Sequence, residues 1–327
     1  MSAAPDVSVV MSVYNGADTL RETMESILSQ ESVSIEFIII NDGSTDKSDV
    51  ILADYARRDA RLRILHQENE GLTRALIKGS QVAKGKYIAR QDAGDISMPK
   101  RLRLQHDVLD RYENCNLVSC WTSIIGPMGE YLYTIKGKGH AELPVCILSD
   151  EEEWGVIDGP THHGSVMFRK AAYAKAGGYR AAFYYGQDWD LWYRLAARGT
   201  FAMVEQSLYR ARFTVGSISS SCRDRQSEFA RLSRMSLSLR RSGRSDAKVL
   251  QVAEGLHPCK SHGTGKSDRG WAMYFIGKCL ANNNDPRATH YLLRAISTNP
   301  FLLRAWWWAG ISLARHPASG FSGSDAN

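Results

Sequence analysis

Several features are scarce in this 327-residue sequence, and each scarcity closes off a class of protein. No apolar run reaches the roughly 18 residues of a membrane-spanning helix. The six cysteines (Cys115, Cys120, Cys146, Cys222, Cys259 and Cys279) are scattered, with no CxxC and no paired ligand spacing. That speaks against a zinc site and for free thiols in a reducing compartment. No basic run interleaved with aromatics marks a nucleic-acid track, so no nucleic-acid partner is expected. The start, Met1 to Val7, includes Asp6 and lacks the charged-then-apolar pattern of a leader. A cytoplasmic protein is expected, or one at the inner face of a membrane. The net charge of +6 suits an anionic ligand or an anionic membrane surface. With 43% hydrophobic and 23% charged residues, the chain can bury a core.

Strand-like runs alternate with helix-like ones. Val7–Val13 and Ile35–Ile40 are dense in β-branched residues and read as buried parallel strands. A helix is expected from about Asp18 to Gln30, with Leu20, Met24 and Ile27 on its apolar face. Another should open at Thr45 or Asp46. Arg61–His66 reads as a short strand, and Leu72–Ala83 as a helix. Such alternation argues a parallel sheet with crossover helices.

The centre of the sequence is Tyr87 to Pro99. An apolar strand-like run breaks at Arg90-Gln91-Asp92-Ala93-Gly94-Asp95, and an amphipathic helix starts near Lys100. Strand, acidic turn, helix is the pattern of a site at the carboxyl end of a sheet strand. Asp92 and Asp95 can hold a hard cation between phosphate oxygens, or they can be a solvated turn capping the next helix. Further on, strands are expected at Leu117–Ile125, Tyr131–Ile135, Ser165–Arg169, Phe201–Val204 and Tyr209–Phe213. Helices are expected at Lys170–Ala176 and Asp188–Ala197. Gly137–Pro160 reads as an irregular acidic connection.

Composition shifts to Arg and Ser between Cys222 and Ser245, which reads as a basic helix. From Trp271 the pattern is helical. Gly277 and Gly310 lie 33 apart, and Ala288, Leu292, Ala295 and Pro300 fall at tetratricopeptide-like offsets. One and a half repeats suggest a helical hairpin. Gly263-Thr264-Gly265-Lys266-Ser267 is not a phosphate loop, because the first glycine is missing at Lys260 and no strand precedes it. Trp306, Trp307 and Trp308 cannot all face one side of a helix, because neighbours sit about 100° apart.

Six motifs in order carry a resemblance. They are Val9-Val10-Met11-Ser12-Val13-Tyr14-Asn15; Ile38 through Asp46, with Asn41-Asp42-Gly43-Ser44; Asn69-Glu70-Gly71-Leu72; Gly85 through Asp92; His163-Gly164-Ser165-Val166-Met167; and Gln187-Asp188-Trp189-Asp190-Leu191-Trp192. Together, over roughly Val7 to Ser219, they resemble the family-2 glycosyltransferases of the GT-A fold. The resemblance implies an α/β fold: a Rossmann-like, mostly parallel sheet with helices on both faces, plus a C-terminal all-helical extension. The expected division is a glycosyltransferase domain over 1–225 and a helical extension with a tetratricopeptide-like hairpin over 226–327. Within the first, 1–110 would be the nucleotide-sugar half and 111–225 the acceptor half.

The resemblance also implies an inverting transfer of a sugar from a nucleotide-diphospho donor, a UDP-sugar, to a glycan or lipid-linked acceptor. Bacterial relatives build surface polysaccharides, and peripheral membrane contact would suit that setting. The competing expectation is a degenerate nucleotide-sugar-binding or scaffold protein. In the enzyme reading Asp42 accepts the imide N–H of the base, or it merely closes an Asx-turn. Tyr14 stacks on the base, and Ser12 or Asn15 bonds it. Asp92 faces the nucleotide, and Asp92 and Asp95 would hold a divalent cation, Mg2+ or Mn2+. Relatives carry the usual ligand acid where this chain has Gly94. Asp188 is the expected base, or a first-turn acid stabilised by the helix dipole. Arg90, His163 and Arg212 would contact donor phosphate or acceptor, Trp154 and Trp189 could stack on sugars, and Thr214 replaces a family histidine.

Overall fold

The computed structural model describes residues 4–139, 142, 159–214, 223–256 and 266–316. Most of the acidic connection with Trp154, Ser217, Cys146, Cys222, Cys259 and the start of the Gly263–Ser267 loop lie outside the described residues. Two compact units divide the chain. The first comprises residues 1–123, 134–211 and 224–258, and the second 124–133, 212–223 and 259–327.

The first unit begins with β1 (Val7–Val13), α1 (Ala17–Leu28), β2 (Ile35–Asp42), α2 (Ser48–Arg58), β3 (Leu62–Gln67), α3 (Leu72–Val82) and β4 (Tyr87–Arg90). A two-residue strand, β5 (Ile96–Ser97), follows, then α4 (Arg101–Arg111), β6 (Cys115–Ile125) and β7 (Tyr131–Ile135). After a 3-10 turn at His163–Ser165 come β8 (Met167–Arg169), α5 (Lys170–Lys175), α6 (Gln187–Ala196), β9 (Thr200–Arg212), α7 (Arg223–Arg241) and α8 (Ala247–Gly255).

The sheet runs β3-β2-β1-β4-β8-β6-β9-β5, with β7 paired to β6. β3, β2, β1 and β4 are mutually parallel, and β8 then runs antiparallel to both β4 and β6. The order 3-2-1-4 is that of a Rossmann-like half. Alternation along β1 explains its dense apolar sequence. Val7, Val9, Met11 and Val13 meet Leu20, Met24 and Ile27 of α1 on one face. Val10 meets Ala75 and Leu76 of α3 on the other, in a core shared with Leu191 and Leu195 of α6. Gly79 lets α3 lie against the sheet, since a Cβ there would come within 2.6 Å of Ile40 and Val10 side chains.

Two local expectations are corrected. The strands expected at Phe201–Val204 and Tyr209–Phe213 are one strand, β9, whose polar midsection Glu205-Gln206-Ser207 is exposed rather than a break. The strand expected from Ser165 starts only at Met167, because residues 163–165 turn and the His162 ring accepts the Gly164 N–H. β5 and α8 were not evident from periodicity.

The second unit holds α9 (Lys266–Asn282), α10 (Ala288–Thr298) and α11 (Leu303–Arg315) with the tip of the β6–β7 hairpin. Gly277 allows close contact of α9 and α10, since a Cβ there would lie 2.6 Å from Leu292. Gly310, its counterpart by spacing, has open space beside it. Tyr291 donates to the buried Glu130 carboxylate, and Asn283 Nδ2 donates to the carbonyls of Tyr131 and Leu132. Phe275 packs against Tyr133 and Phe213. Among the described residues no helix is long and apolar enough to cross a membrane.

Candidate active site

The chain leaves β1 toward β2 on one side, while β4 pairs on the other side. β1, β2 and β4 are parallel neighbours, so their carboxyl ends share one edge of the sheet at this switch in strand order, the usual ligand position in open α/β sheets. Tyr14, at the end of β1, is half-exposed, and Ser12 is half-buried within the strand. Asn15 adopts a left-handed φ of 51°. Its Oδ1 accepts the Thr45 N–H at 2.7 Å and the Asp46 N–H at 3.3 Å, and its own N–H donates to Ser44 Oγ. The Asn15 side chain thus ties the loop after β1 to the loop after β2.

Asp42 closes β2 and is buried. Its carboxylate accepts from Gln67 Nε2 (2.7 Å) and from the N–H groups of Glu70 and Gly71 (both 3.0 Å). The Ser44 N–H, which an Asx-turn at Asp42 would use, donates to Asn41 Oδ1 three residues back. Gly71, at φ 87°, is needed as glycine, because a Cβ would come within 2.7 Å of the Tyr184 ring. Thr73 Oγ1 donates to the Phe183 carbonyl, fixing this loop beside the segment that enters α6.

The acidic turn follows β4. Arg90 is fully buried and donates to Asp92 Oδ1 at 2.6 Å and to the Val10 carbonyl. Tyr209, from β9, accepts the Asp92 N–H (3.1 Å) and donates to Asp95 Oδ2 (2.9 Å). Arg101 stacks over the Tyr209 ring and donates to the Gly164 and Arg90 carbonyls. The His162 ring stacks on the Tyr209 ring, with centroids 5.5 Å apart. Burial works to raise the Asp92 carboxyl, but the charges facing it, led by Arg90, hold it below the usual carboxylate range. Burial and the two acids push the Tyr209 phenol well above its ordinary value, so it remains a donor.

The donor set fits a hard or borderline divalent cation. Carboxylate oxygens of Asp92 and Asp95 and a ring nitrogen of His162 lie within 4.8 Å of one another. His162 Nδ1 is 3.9 Å from Asp92 and 3.8 Å from Asp95, and it accepts the Gly164 N–H at 3.1 Å, a bond that ligation through this nitrogen would replace. Gly94 sits at φ 97°, a conformation that side chains rarely adopt. This turn is therefore shaped for glycine, and His162 is the third potential donor beside the two acids. The sequence pointed to His163 as a contact for donor phosphate or acceptor and gave no sign of His162 or Tyr209 beside the acids. The paired histidines were visible, but which ring faced the acids was not.

Asp188 lies in the first turn of α6, after Gly186 in the left-handed region (φ 67°). Its Oδ1 accepts the Trp189 N–H at 2.9 Å. Burial raises the Asp188 carboxyl above its ordinary value, and the Asp92 charge adds to the rise. Asp190 points elsewhere: it is buried and accepts from Arg180 and Arg194. Arg180 also pairs with Asp246, so α6 is bound to α7 and α8 through this cluster with Ser236. His163 is buried between Arg90 and Tyr179, 2.9 Å from the Tyr179 hydroxyl, and burial lowers it to about 3. It is therefore neutral at neutral pH. Trp189 packs edgewise on Trp192 at 4.9 Å. Arg212 belongs to the second unit, where it donates to the Pro127 carbonyl at 2.9 Å.

Comparison with known proteins places this geometry. Residues 8–174 match the family described as glycosyl transferase family 2. EpsE of Bacillus subtilis (strain 168), named as a glycosyltransferase, is 32% identical over 65% of this chain and 74% of its own length. RP339 of Rickettsia prowazekii (strain Madrid E), also so named, is 27% identical over 64% of each chain. Among solved structures, S. aureus TarS 1–349 in complex with UDP-GlcNAc shares the fold, with a TM-score of 0.57 and 16% identity over 95% of this chain and 89% of that one.

Proposed function

The chain belongs to glycosyl transferase family 2 and is a glycosyltransferase, and on that premise we propose that it inverts the anomeric carbon of a UDP-sugar as it transfers the sugar to a hydroxyl of a glycan or lipid-linked acceptor. The observation that carries this reading is the grouping at the strand ends. Tyr14 and Asp42 stand at the ends of β1 and β2. Asp92, Asp95 and His162 cluster after β4. Asp188 is close enough for the Asp92 charge to raise its carboxyl. The complex of TarS with UDP-GlcNAc supports the donor class.

Asp42 takes the imide N–H of the base, with Tyr14 stacked on the ring and Ser12 supplying a further polar contact. The Asn15 side chain is spent on the neighbouring loop, so its part is to shape the pocket. A divalent cation, Mg2+ or Mn2+, held by Asp92, Asp95 and His162 would neutralise the diphosphate leaving group. Arg90 holds Asp92 in place from beneath, and neutral His163 supports Arg90. Asp188 accepts the proton of the acceptor hydroxyl as its oxygen bonds the anomeric carbon. The bond from that carbon to the diphosphate breaks on the opposite face, and its electron pair leaves with the nucleoside diphosphate. A carboxyl raised by burial is a better base than a fully solvated one. The setting we assign is surface-polysaccharide assembly on the cytoplasmic side of a bacterial membrane.

Calorimetry with UDP, GDP and dTDP, with and without Mn2+, tests the donor site, and proton NMR of the product tests the stereochemistry. UDP binding strengthened by Mn2+ and an inverted anomeric centre are expected. Failure of UDP to bind, or a retained configuration, would overturn the reading.

A further inference from the structure

Helix α11 is built inside out. Its buried positions are the small residues Ala305, Ala309 and Ser312, spaced four and three apart. Its exposed positions are large and apolar: Leu303 is 77% exposed, Trp306 53%, Trp307 70% and Leu313 43%. At about 100° per residue, Leu313, Trp306, Gly310, Leu303 and Trp307 fall within one continuous arc. Phe301, 90% exposed just before the helix, extends this surface. Trp306 Nε1 donates to the Pro300 carbonyl at 3.0 Å, which seats its ring on that loop. Large apolar side chains gathered on one outward face mark a contact surface.

Charge selects the occupant. Between Pro286 and His316 there is no aspartate or glutamate, while Arg294, Arg304 and Arg315 are all exposed. On the helix, Arg304 and Arg315 border the apolar arc. In an isologous dimer through this face the segment would offer each copy's arginines no acid to pair with. An anionic lipid surface supplies both missing halves. Tryptophan rings are favoured at headgroup depth, and bordering arginines are attracted to acidic headgroups.

We propose that the outward face of α11, with Phe301, Leu303, Trp306 and Trp307 as the inserted residues and Arg304 at its border, docks on an anionic phospholipid surface. This contact does not depend on the transfer reaction.

The test is flotation of the full chain with vesicles of pure phosphatidylcholine and vesicles containing a third phosphatidylglycerol. Binding is expected to the anionic vesicles and to weaken with salt. Trp306→Ser/Trp307→Ser should weaken it by about tenfold or more, and Arg304→Gln by about fivefold. UDP binding should be unchanged in each variant, which separates a failure here from a failure of the enzymatic reading. Quenching of the native tryptophan fluorescence by brominated lipid in the anionic vesicles provides a readout that needs no variant. Three results would each overturn the proposal: no binding to anionic vesicles, binding that the tryptophan variant leaves intact, or a dimer in light scattering that the tryptophan variant dissolves.

Discussion

Replacing Tyr209 by Phe removes one oxygen and little else. The ring would keep its contacts with His162, at 5.5 Å, and with Arg101, at 5.2 Å, so no cavity opens. Two hydrogen bonds are lost: the one to the Asp95 carboxylate at 2.9 Å and the one from the Asp92 N–H at 3.1 Å. The first is charge-assisted, worth about 1.5–3 kcal/mol, and the second about 0.5–1.5 kcal/mol. Asp92 is half-buried, so water recovers part of the loss, and a net cost of about 2–3 kcal/mol is expected by urea denaturation. The phenol is held well above its ordinary range, so it donates at pH 6 and at pH 9 alike. The cost should be the same at both. Asp95 would also lose one of the groups that orient it, so Mn2+-supported UDP binding should weaken by roughly 10- to 100-fold. A stability loss below about 0.5 kcal/mol, or one that disappears at pH 9, would refute the reasoning.

Asp188→Asn should leave UDP binding intact and reduce turnover by roughly 10² to 10⁴; retention of more than about a tenth of the activity would remove Asp188 from the base role. Because burial raises this carboxyl, the native state binds its proton more readily than the unfolded chain does, and the associated stability is lost as pH rises. The asparagine variant should therefore gain melting temperature over wild type at pH 8 and not at pH 3, read by calorimetry. His163 titrates with the opposite sign: it is lowered to about 3 against an ordinary 6.5, so unfolding takes up a proton as pH falls. Wild-type stability should drop by up to about 1.4 kcal/mol per pH unit below pH 6.5, and His163→Gln should flatten the difference between pH 6.5 and 5. Asp42→Ala should weaken UDP binding by about 1.5–3 kcal/mol and also loosen the Gln67–Gly71 loop, seen as faster amide exchange at Glu70 and Gly71.

The sequence by itself determined the parallel half of the fold, because two-sided burial leaves a local record. Strands β1 and β2 must be apolar along their length, and α1 and α3 must carry one apolar face. It also marked Asp42, Asp92 and Asp188 as candidates, each beside a strand end or helix start. The three tryptophans likewise forced at least one outward, and Trp306 and Trp307 are the exposed ones. Contacts between distant segments left no such record. Tyr209 reaches Asp95 across 114 positions, and His162 meets the acids only because a 3-10 turn swings its ring toward them. Arg90, expected to face the donor, is turned inward because β1 and β4 pair in register and put the Val10 carbonyl within its reach. Strand identity follows from periodicity along the chain. Which side chains share a crevice depends on sheet order and on one residue of register, and those are settled only when the strands pack.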